Sequence, residues 1–357
     1  MTAASGSLEF ALLNATQRAF PLVPRPFAEV GRRLGLSEEE VLQRYRALAA
    51  AGMLSRVGAV FRPNTVGASA LAALAVAESD LARVAELVSA QPEVNHNYER
   101  EHAWNLWFVV AARNEAEVEQ ALRRIESLTG LRALRLPLVE EFHIDLGFDL
   151  ATGDAPREGG APPRRPRAAL GEREQAVVAA LADGLPLTAE PYAEIGRRAG
   201  CSGDEVVALL ARWLDEGILR RFGAVVRHRP LGYAANAMTV WDVPDDRMRE
   251  AGRRLAVQPE VTLCYARPRR LPDWPYNLFC MVHGRERSAV RAAIDRVTAA
   301  AELGSCQREI LFSRHCHVQR GARYGVERTG VERTGVERTG IERTGTERAG
   351  EGDAARG

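Results

Sequence analysis

The spacing of apolar and polar positions in the first part of the chain predicts three helices followed by one alternating segment. The predicted helices and the alternating segment cover residues 8–13, 26–34, 37–52 and 53–61. Ser37 and Glu40 have the spacing of a capping box, and Gly52 ends the third helix. The alternation that follows is typical of a strand, and we expect a β-hairpin arm there. Residues 1–66 are therefore predicted to form a winged helix-turn-helix.

In residues 67–150 the pattern changes to short apolar segments, separated by two amphipathic segments. The order of these segments predicts β-α-β-β-α-β. The predicted elements cover residues 71–76, 81–90, 94–98, 106–112, 115–128 and 131–138. This order is typical of a ferredoxin-like domain, so the predicted fold class is α+β.

The second half of the chain repeats this organisation. Gly31 and Gly196 hold equivalent places in a predicted helix, Gly58 and Gly223 hold equivalent places in the wing, and 165 positions separate each pair. The predicted second winged helix-turn-helix and second ferredoxin-like domain cover residues 170–231 and 232–324. We expect the two tandem units to dock as an internal pseudo-dimer about a pseudo-two-fold axis.

Two segments have compositions that predict no packed structure. Residues 151–169 are rich in Gly, Pro and Arg, as expected of a linker. Residues 325–357 repeat Val-Glu-Arg-Thr-Gly with gradual divergence, so their charges cancel and they offer no apolar face to bury. We predict a disordered tail without a catalytic role.

Composition excludes several classes of protein. The formal net charge of the 357 residues is only +1, and no apolar run approaches the roughly 20 residues needed to span a bilayer. The first residues lack the basic and apolar regions of a secretory signal, and the five cysteines fit no zinc or disulfide spacing. We therefore expect a cytoplasmic protein with reduced thiols and no membrane partner.

The third helix of each winged helix-turn-helix is acidic, which argues against binding to DNA. In DNA-binding proteins of this kind the helix enters the major groove, and basic side chains neutralise the phosphates. Residues 37–52 carry three Glu and two Arg, and residues 202–217 carry four acidic residues against Arg212 alone. We therefore expect these helices to serve as scaffold and expect no DNA partner.

A polar and aromatic cluster recurs on the second predicted strand of each ferredoxin-like domain. Residues 94–100 read Val-Asn-His-Asn-Tyr-Glu-Arg, and residues 261–267 read Val-Thr-Leu-Cys-Tyr-Ala-Arg. Tyr and Arg keep their places, whereas His96 is replaced by Leu263. Divergence at a titratable residue predicts that the two halves do different chemical work.

Several motifs give the chain its resemblance to known families. A winged helix-turn-helix followed by a ferredoxin-like domain resembles the Lrp/AsnC transcription regulators. The segments 100–108 (Arg-Glu-His-Ala-Trp-Asn-Leu-Trp-Phe) and 274–279 (Trp-Pro-Tyr-Asn-Leu-Phe), with Pro-Arg-Pro-Phe at 24–27 and the paired wing motif, closely resemble the siroheme decarboxylases. The resemblance runs from about residue 8 to residue 324, apart from the linker, with about five extra residues near 268–273 in the second half.

The resemblance implies a concrete activity. Siroheme decarboxylases remove two acetate carboxylates from siroheme to give 12,18-didecarboxysiroheme, either on the way to d1 haem or in an alternative haem pathway. They usually act as two related Lrp-like subunits, and this chain resembles both subunits fused, with further homo-oligomerisation left open. The implied partner is siroheme, and no cofactor is implied beyond the iron that this substrate carries.

The residues of the repeated motifs suit such a substrate. A flat macrocycle needs an aromatic slot, its carboxylates need Arg side chains, and the carbon that loses carbon dioxide needs a proton. The candidate catalytic residues are His96, His102, Tyr98 and Tyr265. The candidate substrate-binding residues are Arg56, Arg100, Arg220, Arg221, Arg267, Trp104, Asn105, Trp274, Tyr276 and Asn277.

We expect His96 and His102 to act at one face, one as proton donor and the other as ligand of the substrate iron or partner of a carboxylate. Tyr98 and Tyr265 would orient carboxylates or relay protons. Family members commonly carry His where this chain has Leu263, which leaves the first half, or a site shared by both halves, as the active one. Each His could instead be structural, and single Trp and Tyr side chains are more often core residues than ligand platforms.

Two other functions stay open at this point. A haem- or ligand-sensing transcription regulator would use the same scaffold, although the acidic helices argue against it. A tetrapyrrole carrier would bind the substrate and release no product.

Overall fold

A computed structural model describes residues 8–144, 170–227, 232–233 and 235–324, and contacts join the two halves into one unit. The first half comprises α1 (Leu8–Thr16), α2 (Pro26–Leu34), α3 (Glu38–Ala50), β1 (Leu54–Phe61), β2 (Ala68–Leu74), α4 (Leu81–Ser89), β3 (Val94–Arg100), β4 (Leu106–Ala112), α5 (Glu115–Thr129), β5 (Leu134–Pro137) and β6 (Glu140–Ile144). The second half comprises α6 (Glu172–Ala180), α7 (Pro191–Ala199), α8 (Gly203–Asp215), β7 (Leu219–Val226), β8 (Ala235–Trp241), α9 (Asp245–Ala256), β9 (Val261–Ala266), β10 (Leu278–Gly284), α10 (Arg287–Ala300) and β11 (Arg308–Gln319). The predicted linker 151–169 and the predicted tail 325–357 lie outside the described residues.

The predicted helices of the two winged modules are present, with the starts that their capping residues dictate. Ser37 and Ser202 each accept a hydrogen bond from the backbone N–H of the Glu three residues later, and that Glu binds back to the Ser N–H. Both predicted capping boxes are therefore confirmed. Among the described residues, no helix has the length and apolar character needed to cross a membrane.

The wings differ from the expected β-hairpin arms. β1 forms no local hairpin but pairs antiparallel with β7 of the other half, with Gly58 opposite Gly223. The hairpin prediction is therefore wrong, because each strand satisfies its backbone groups with its duplicate across the pseudo-two-fold axis. A Cβ added to Gly223 would lie 2.2 Å from the carbonyl oxygen of Thr16, so the close packing of β7 against the end of α1 requires glycine.

The two ferredoxin-like units contribute to one nine-stranded sheet in the order β5-β2-β4-β3-β11-β8-β10-β9-β6. In each half the fourth strand of the unit lies beside the first, the first beside the third, and the third beside the second. Helices α4 and α5 cover the outer face of the first unit's strands, and α9 and α10 cover the outer face of the second unit's strands. The predicted β-α-β-β-α-β units are confirmed.

In each half the end of the last strand also pairs with a strand of the other half. β11 pairs with β8 over Arg308–Phe312 and then with β3 over Ser313–Gln319. In the same way β6 pairs with β9. Because only Leu138 and Val139 separate β5 from β6, and these strands lie at the two ends of the strand order, the sheet closes on itself. The sequence pattern did not predict these extensions.

The interior of the closed sheet is filled by side chains from both halves. Alternate residues of each strand point outward to the helices, and the others point inward. The buried inward-facing apolar set is Leu71, Ala73, Trp107, Leu134, Leu136, Met238, Val240, Tyr265, Trp274, Tyr276, Phe279, Met281 and Leu311. Several charged and titratable side chains lie beside this set.

Candidate active site

Three of the predicted site residues lie in a row on the inner face of β3. Tyr98 pairs with the inward-facing Trp107 of β4, whereas the neighbouring Asn97 points outward and donates to the carbonyl oxygen of Ala85 at 3.1 Å. Alternation therefore places His96, Tyr98 and Arg100 on the inner face. On β9, the equivalent inner row is Leu263, Tyr265 and Arg267.

His96 is surrounded by protein while part of its surface stays accessible, which is the situation of a side chain in a recess. Burial, reinforced by the positive charge of Arg56, lowers the pKa of His96 to about 4. The imidazole is therefore neutral near pH 7 in the substrate-free chain. Its ring stacks on Tyr98 with 6.1 Å between the ring centroids.

Arg56 reaches this recess from the wing strand β1. Backbone crowds its side chain on two sides, because a Cβ on Gly184 would lie 2.8 Å from its Cβ, and one on Gly321 would lie 3.3 Å from its Cζ. Burial lowers the pKa of Arg56, while the charge of Asp183 opposes that shift. The two glycines therefore hold a guanidinium close to His96.

Tyr98 is the meeting point of both halves. Cys316, on the part of β11 that crosses over, lies opposite Tyr98 in the strand pairing. Burial and then the Cys316 side chain raise the pKa of Tyr98, which keeps it a neutral phenol, while Arg100 and Arg227 lie near enough to oppose the shift.

Arg100 and Arg267 are two enclosed guanidinium groups related by the pseudo-two-fold axis. Arg100 donates to the carbonyl oxygen of Leu311 at 3.2 Å, and Arg267 donates to that of Leu136. Each Cζ lies over its neighbouring tyrosine ring, at 5.7 Å for Tyr98 and 4.6 Å for Tyr265. Both Nε atoms are buried without a hydrogen-bond partner, and no carboxylate of the described residues forms an ion pair with either guanidinium. Burial lowers the pKa of both arginines.

The remaining two arginine candidates are committed to contacts within the chain. Arg220 forms an ion pair with Glu141 of β6. Arg221, which is the duplicate of Arg56, is buried and donates to the carbonyl oxygens of Gln17 at 2.7 Å and Ala224 at 3.0 Å. The expectation that Arg221 binds substrate is at odds with this placement, because the guanidinium holds the winged modules together.

His102 occupies the turn after β3. Its Nδ1 accepts a hydrogen bond from the backbone N–H of Trp104 at 2.9 Å, and its ring meets the edge of Trp274 at 5.5 Å. Partial burial lowers its pKa. Among the described residues no hydrogen bond or ring contact joins His102 to His96, so the expected pairing of the two at one face does not appear in these contacts.

The candidate tryptophan and tyrosine side chains are mainly core residues. Trp274 is fully buried, and its ring contacts Trp107 at 5.1 Å, Tyr276 at 5.0 Å and Phe279 at 6.1 Å. Tyr276 accepts a hydrogen bond from Gln307 at 3.2 Å. Trp104 stays partly exposed at the end of this cluster, and its carbonyl oxygen accepts from Trp107 Nε1 at 2.6 Å. Trp274 therefore differs from the expected open platform, since its surroundings already cover the ring.

Asn105 and Asn277 both use their side-chain amides to bind backbone, while their expected role in substrate binding stays a prediction. The amide of Asn105 accepts from the N–H of Val76 at 3.0 Å and donates to its carbonyl oxygen at 2.8 Å. Asn277 makes the same pair of bonds to Val243, both at 2.9 Å. Each amide thus replaces a missing strand partner, and the equivalence confirms the predicted five-residue insertion before Asn277.

Cys316, Arg227 and Glu141 were not among the candidate residues, although the structure brings them to the same place as Tyr98 or Tyr265. Cys316 and Glu141 reach the site only through the strand extensions. Arg227 ends the repeated wing motif, which was the one signal in the sequence that could have identified it.

Two family models match the chain. The AsnC-like ligand binding domain matches residues 66–143 and 230–317, and the siroheme decarboxylase NirDL-like HTH domain matches residues 9–54 and 174–220. The chain is 44% identical over 317 residues to the siroheme decarboxylase NirDL subunit of Paracoccus denitrificans, covering 88% of this chain and 96% of that protein. This chain belongs to the siroheme decarboxylase family.

Other siroheme decarboxylases match over most of the chain. The siroheme decarboxylase of Hydrogenobacter thermophilus is 33% identical over 310 residues, covering 85% of this chain and 90% of that one. A crystal structure of the siroheme decarboxylase NirDL matches with a TM-score of 0.63 at 29% identity, over 88% of this chain and 94% of that one. A crystal structure of NirDL in co-complex with an iron-uroporphyrin III analogue matches with the same TM-score at 28% identity, over 89% and 95%.

The environment of His96 predicts an unusual titration. We expect its ring resonances in the substrate-free chain to titrate with a midpoint near pH 4, because charging the ring costs desolvation and meets Arg56. NMR of the histidine ring nitrogens measures this, and a His96→Gln variant assigns the signal. Because the folded-state pKa lies below the unfolded value, His96 should lower the stability progressively as the pH falls from about 6.5 toward 4. A midpoint near 6.5 would contradict the recess.

The backbone role of Asn277 predicts a stability defect. Asn277→Ala leaves the N–H and carbonyl oxygen of Val243 without partners and should lower the free energy of unfolding by about 1–3 kcal/mol. Urea denaturation measures the change, with Gln43→Ala on the exposed face of α3 as a control close to wild type. Unchanged stability combined with weaker substrate binding would instead restore the role expected from the sequence.

Proposed function

We propose that this chain decarboxylates siroheme, removing two acetate carboxylates to give 12,18-didecarboxysiroheme. The observation that carries the proposal is the pair of enclosed guanidiniums, Arg100 and Arg267, that form no ion pair with a carboxylate of the described residues. Uncompensated charge in the protein interior costs several kcal/mol. A macrocycle edged with carboxylates supplies the missing partners, and the names of the relatives support this choice of substrate.

The arginines serve carboxylates that do not react. A guanidinium that holds a carboxylate stabilises its charged ground state, and carbon dioxide leaves without that charge. The reacting acetate is therefore placed away from Arg100 and Arg267, toward His96 and Tyr98. There the bound macrocycle and the surrounding protein would together exclude water, which favours the loss of charge from the carboxylate.

Departure of carbon dioxide leaves an electron pair on the methylene carbon, spread into the macrocycle, and this carbon takes up a proton to become a methyl group. His96 is the proposed donor. It is neutral in the empty recess, and the negative charge of a bound substrate raises its pKa toward protonation. Tyr98, held neutral and stacked on His96, passes the proton or orients the acetate.

The other two catalytic candidates take supporting roles. Tyr265 orients a carboxylate beside Arg267, which lies over its ring. The Nδ1 of His102 is already an acceptor, so Nε2 carries the proton of the neutral ring and donates to a substrate carboxylate. We propose no cofactor beyond the iron of the substrate.

The competing function, a transcription regulator, fits the winged modules poorly. The basic side chains on the helices that would enter DNA are held by acidic partners, with Arg44 paired to Glu9 and Arg212 paired to Glu174. Few charges remain to neutralise phosphates. We therefore propose no DNA partner. The five cysteines, all among the described residues, form no disulfide, which supports our proposal of a cytoplasmic location.

The decisive experiment is anaerobic incubation of the full chain with siroheme, with mass spectrometry of the products. We expect loss of two carbon dioxide units in the wild type and a rate at least about 100-fold lower in His96→Asn. His315→Asn, on the outward-facing side of β11, is the matched control and should keep wild-type turnover. Binding without any product in the wild type would instead identify a carrier.

Arg100 is expected to strengthen substrate binding while lowering the stability of the substrate-free protein. Arg100→Met removes an enclosed charge, so the substrate-free protein should keep its unfolding free energy or gain up to about 4 kcal/mol. Loss of the charged hydrogen bonds should weaken siroheme binding by roughly 10- to 100-fold. Thermal unfolding and spectroscopic titration measure the two effects. A loss of stability with unchanged affinity would contradict the assigned role.

A further inference from the structure

The pseudo-two-fold axis gives each inner tyrosine an equivalent neighbour from the opposite half. Tyr98 lies opposite Cys316 across the β3–β11 pairing, and Tyr265 lies opposite Glu141 across the β9–β6 pairing. Directly paired residues point to the same face of a sheet. Glu141 therefore points inward in the second half, at the place that a cysteine side chain occupies in the first.

Glu141 is neutralised by a residue that the first half lacks. Its carboxylate pairs with Arg220, and both side chains are nearly buried, at 16% and 13% exposure. Ser55 takes the place of Arg220 in the first wing. A salt bridge has thus been built on one side only.

The surroundings of this salt bridge are strongly positive. The charges of Arg62, Arg18 and Arg221 lie near enough to Arg220 to act with burial and lower its pKa to about 10. Among the described residues, Glu141 is the carboxylate that pairs with Arg220, and three further guanidiniums lie near that arginine, which is the arrangement expected around a bound carboxylate.

The first half presents a similar frame whose acidic neighbour is Asp183, an exposed carboxylate that pairs with Arg323 and acts on Arg56 through its charge. Arg56 and Arg227 lie near His96 and Tyr98, and the first half has the Cys316 side chain where the second half has the carboxylate of Glu141. Two further exchanges make the second half more apolar, because Leu263 stands in place of His96 and Ile144 in place of Gln319.

We infer that Glu141 occupies, in the second half, the place that a substrate carboxylate takes in the first, so each chain binds one siroheme on the side of His96. The inference rests on the proposed function for the identity of the ligand. Glu141 thereby closes the duplicate of the active site. The duplicate keeps Arg220 because the internal carboxylate offsets its charge, whereas Arg267 forms no ion pair with a carboxylate of the described residues and serves the one bound substrate.

Binding stoichiometry tests this inference independently of turnover. Iron-uroporphyrin III is titrated into the full chain and followed by absorbance and calorimetry. The wild type should take up one equivalent per chain. Glu141→Gln, and Glu141→Cys with the residue of the first half, should each take up a second equivalent, because Arg220 and its neighbours lose their internal partner. Glu140 lies next to Glu141 on β6 and forms an exposed ion pair with Arg249 of α9. Glu140→Gln breaks this pair and should still bind one equivalent.

Two equivalents in the wild type would overturn the inference, as would a single equivalent in both Glu141 variants when their circular dichroism matches the wild type. The wild-type stoichiometry decides the question even if one variant fails to fold. A chain that binds one equivalent but leaves siroheme intact would overturn the proposed decarboxylation while leaving the role of Glu141 in place. Absence of all binding would overturn both.

Discussion

The structure depends on the exchange of strand ends between the two halves. β11 and β6 each continue past their own unit and pair with the second strand of the other one, and this pairing closes the sheet. These pairings satisfy the backbone groups that β3 and β9 would otherwise expose at the edge of each unit, and they help to enclose the inner face. The two halves therefore form one site-bearing body, and neither half alone would surround Tyr98 or Tyr265.

Enclosure sets the electrostatics of the inner face. Away from bulk water a guanidinium retains its charge at a cost, and an imidazole loses its proton more readily. Arg100 and Arg267 remain charged against carbonyl oxygens and tyrosine rings, while His96 is held neutral. A bound polyanion offsets the enclosed positive charge and favours protonation of the histidine. Both effects favour binding of the substrate. Stability of the empty chain and affinity for the substrate are in this way opposed.

Duplication followed by divergence explains which residues are paired and which are not. Residues that hold the frame remain in both copies, such as Asn105 and Asn277 with their identical backbone bonds. Residues that carry chemistry differ, as His96 differs from Leu263. His102 differs in the same way, because Trp274 stands at the equivalent position, three residues before Asn277, and its ring contacts His102. The residues that hold the frame are the same in both halves because both halves need the same backbone contacts. The residues that carry chemistry are concentrated on the side of His96.

The sequence by itself determined the local elements and their duplication. Capping residues, helical periodicity and the repeated wing motif are short-range signals, so the helices, most strands and the equivalence of Tyr98 with Tyr265 could be predicted. Only the tertiary structure decided where β6 and the end of β11 pair, because strand partners far apart in sequence leave no periodic signal. For the same reason it alone showed that Asn105 is bound to backbone, that Trp274 is core, and that Glu141 faces the interior. Those outcomes depend on which groups meet across the pseudo-two-fold axis.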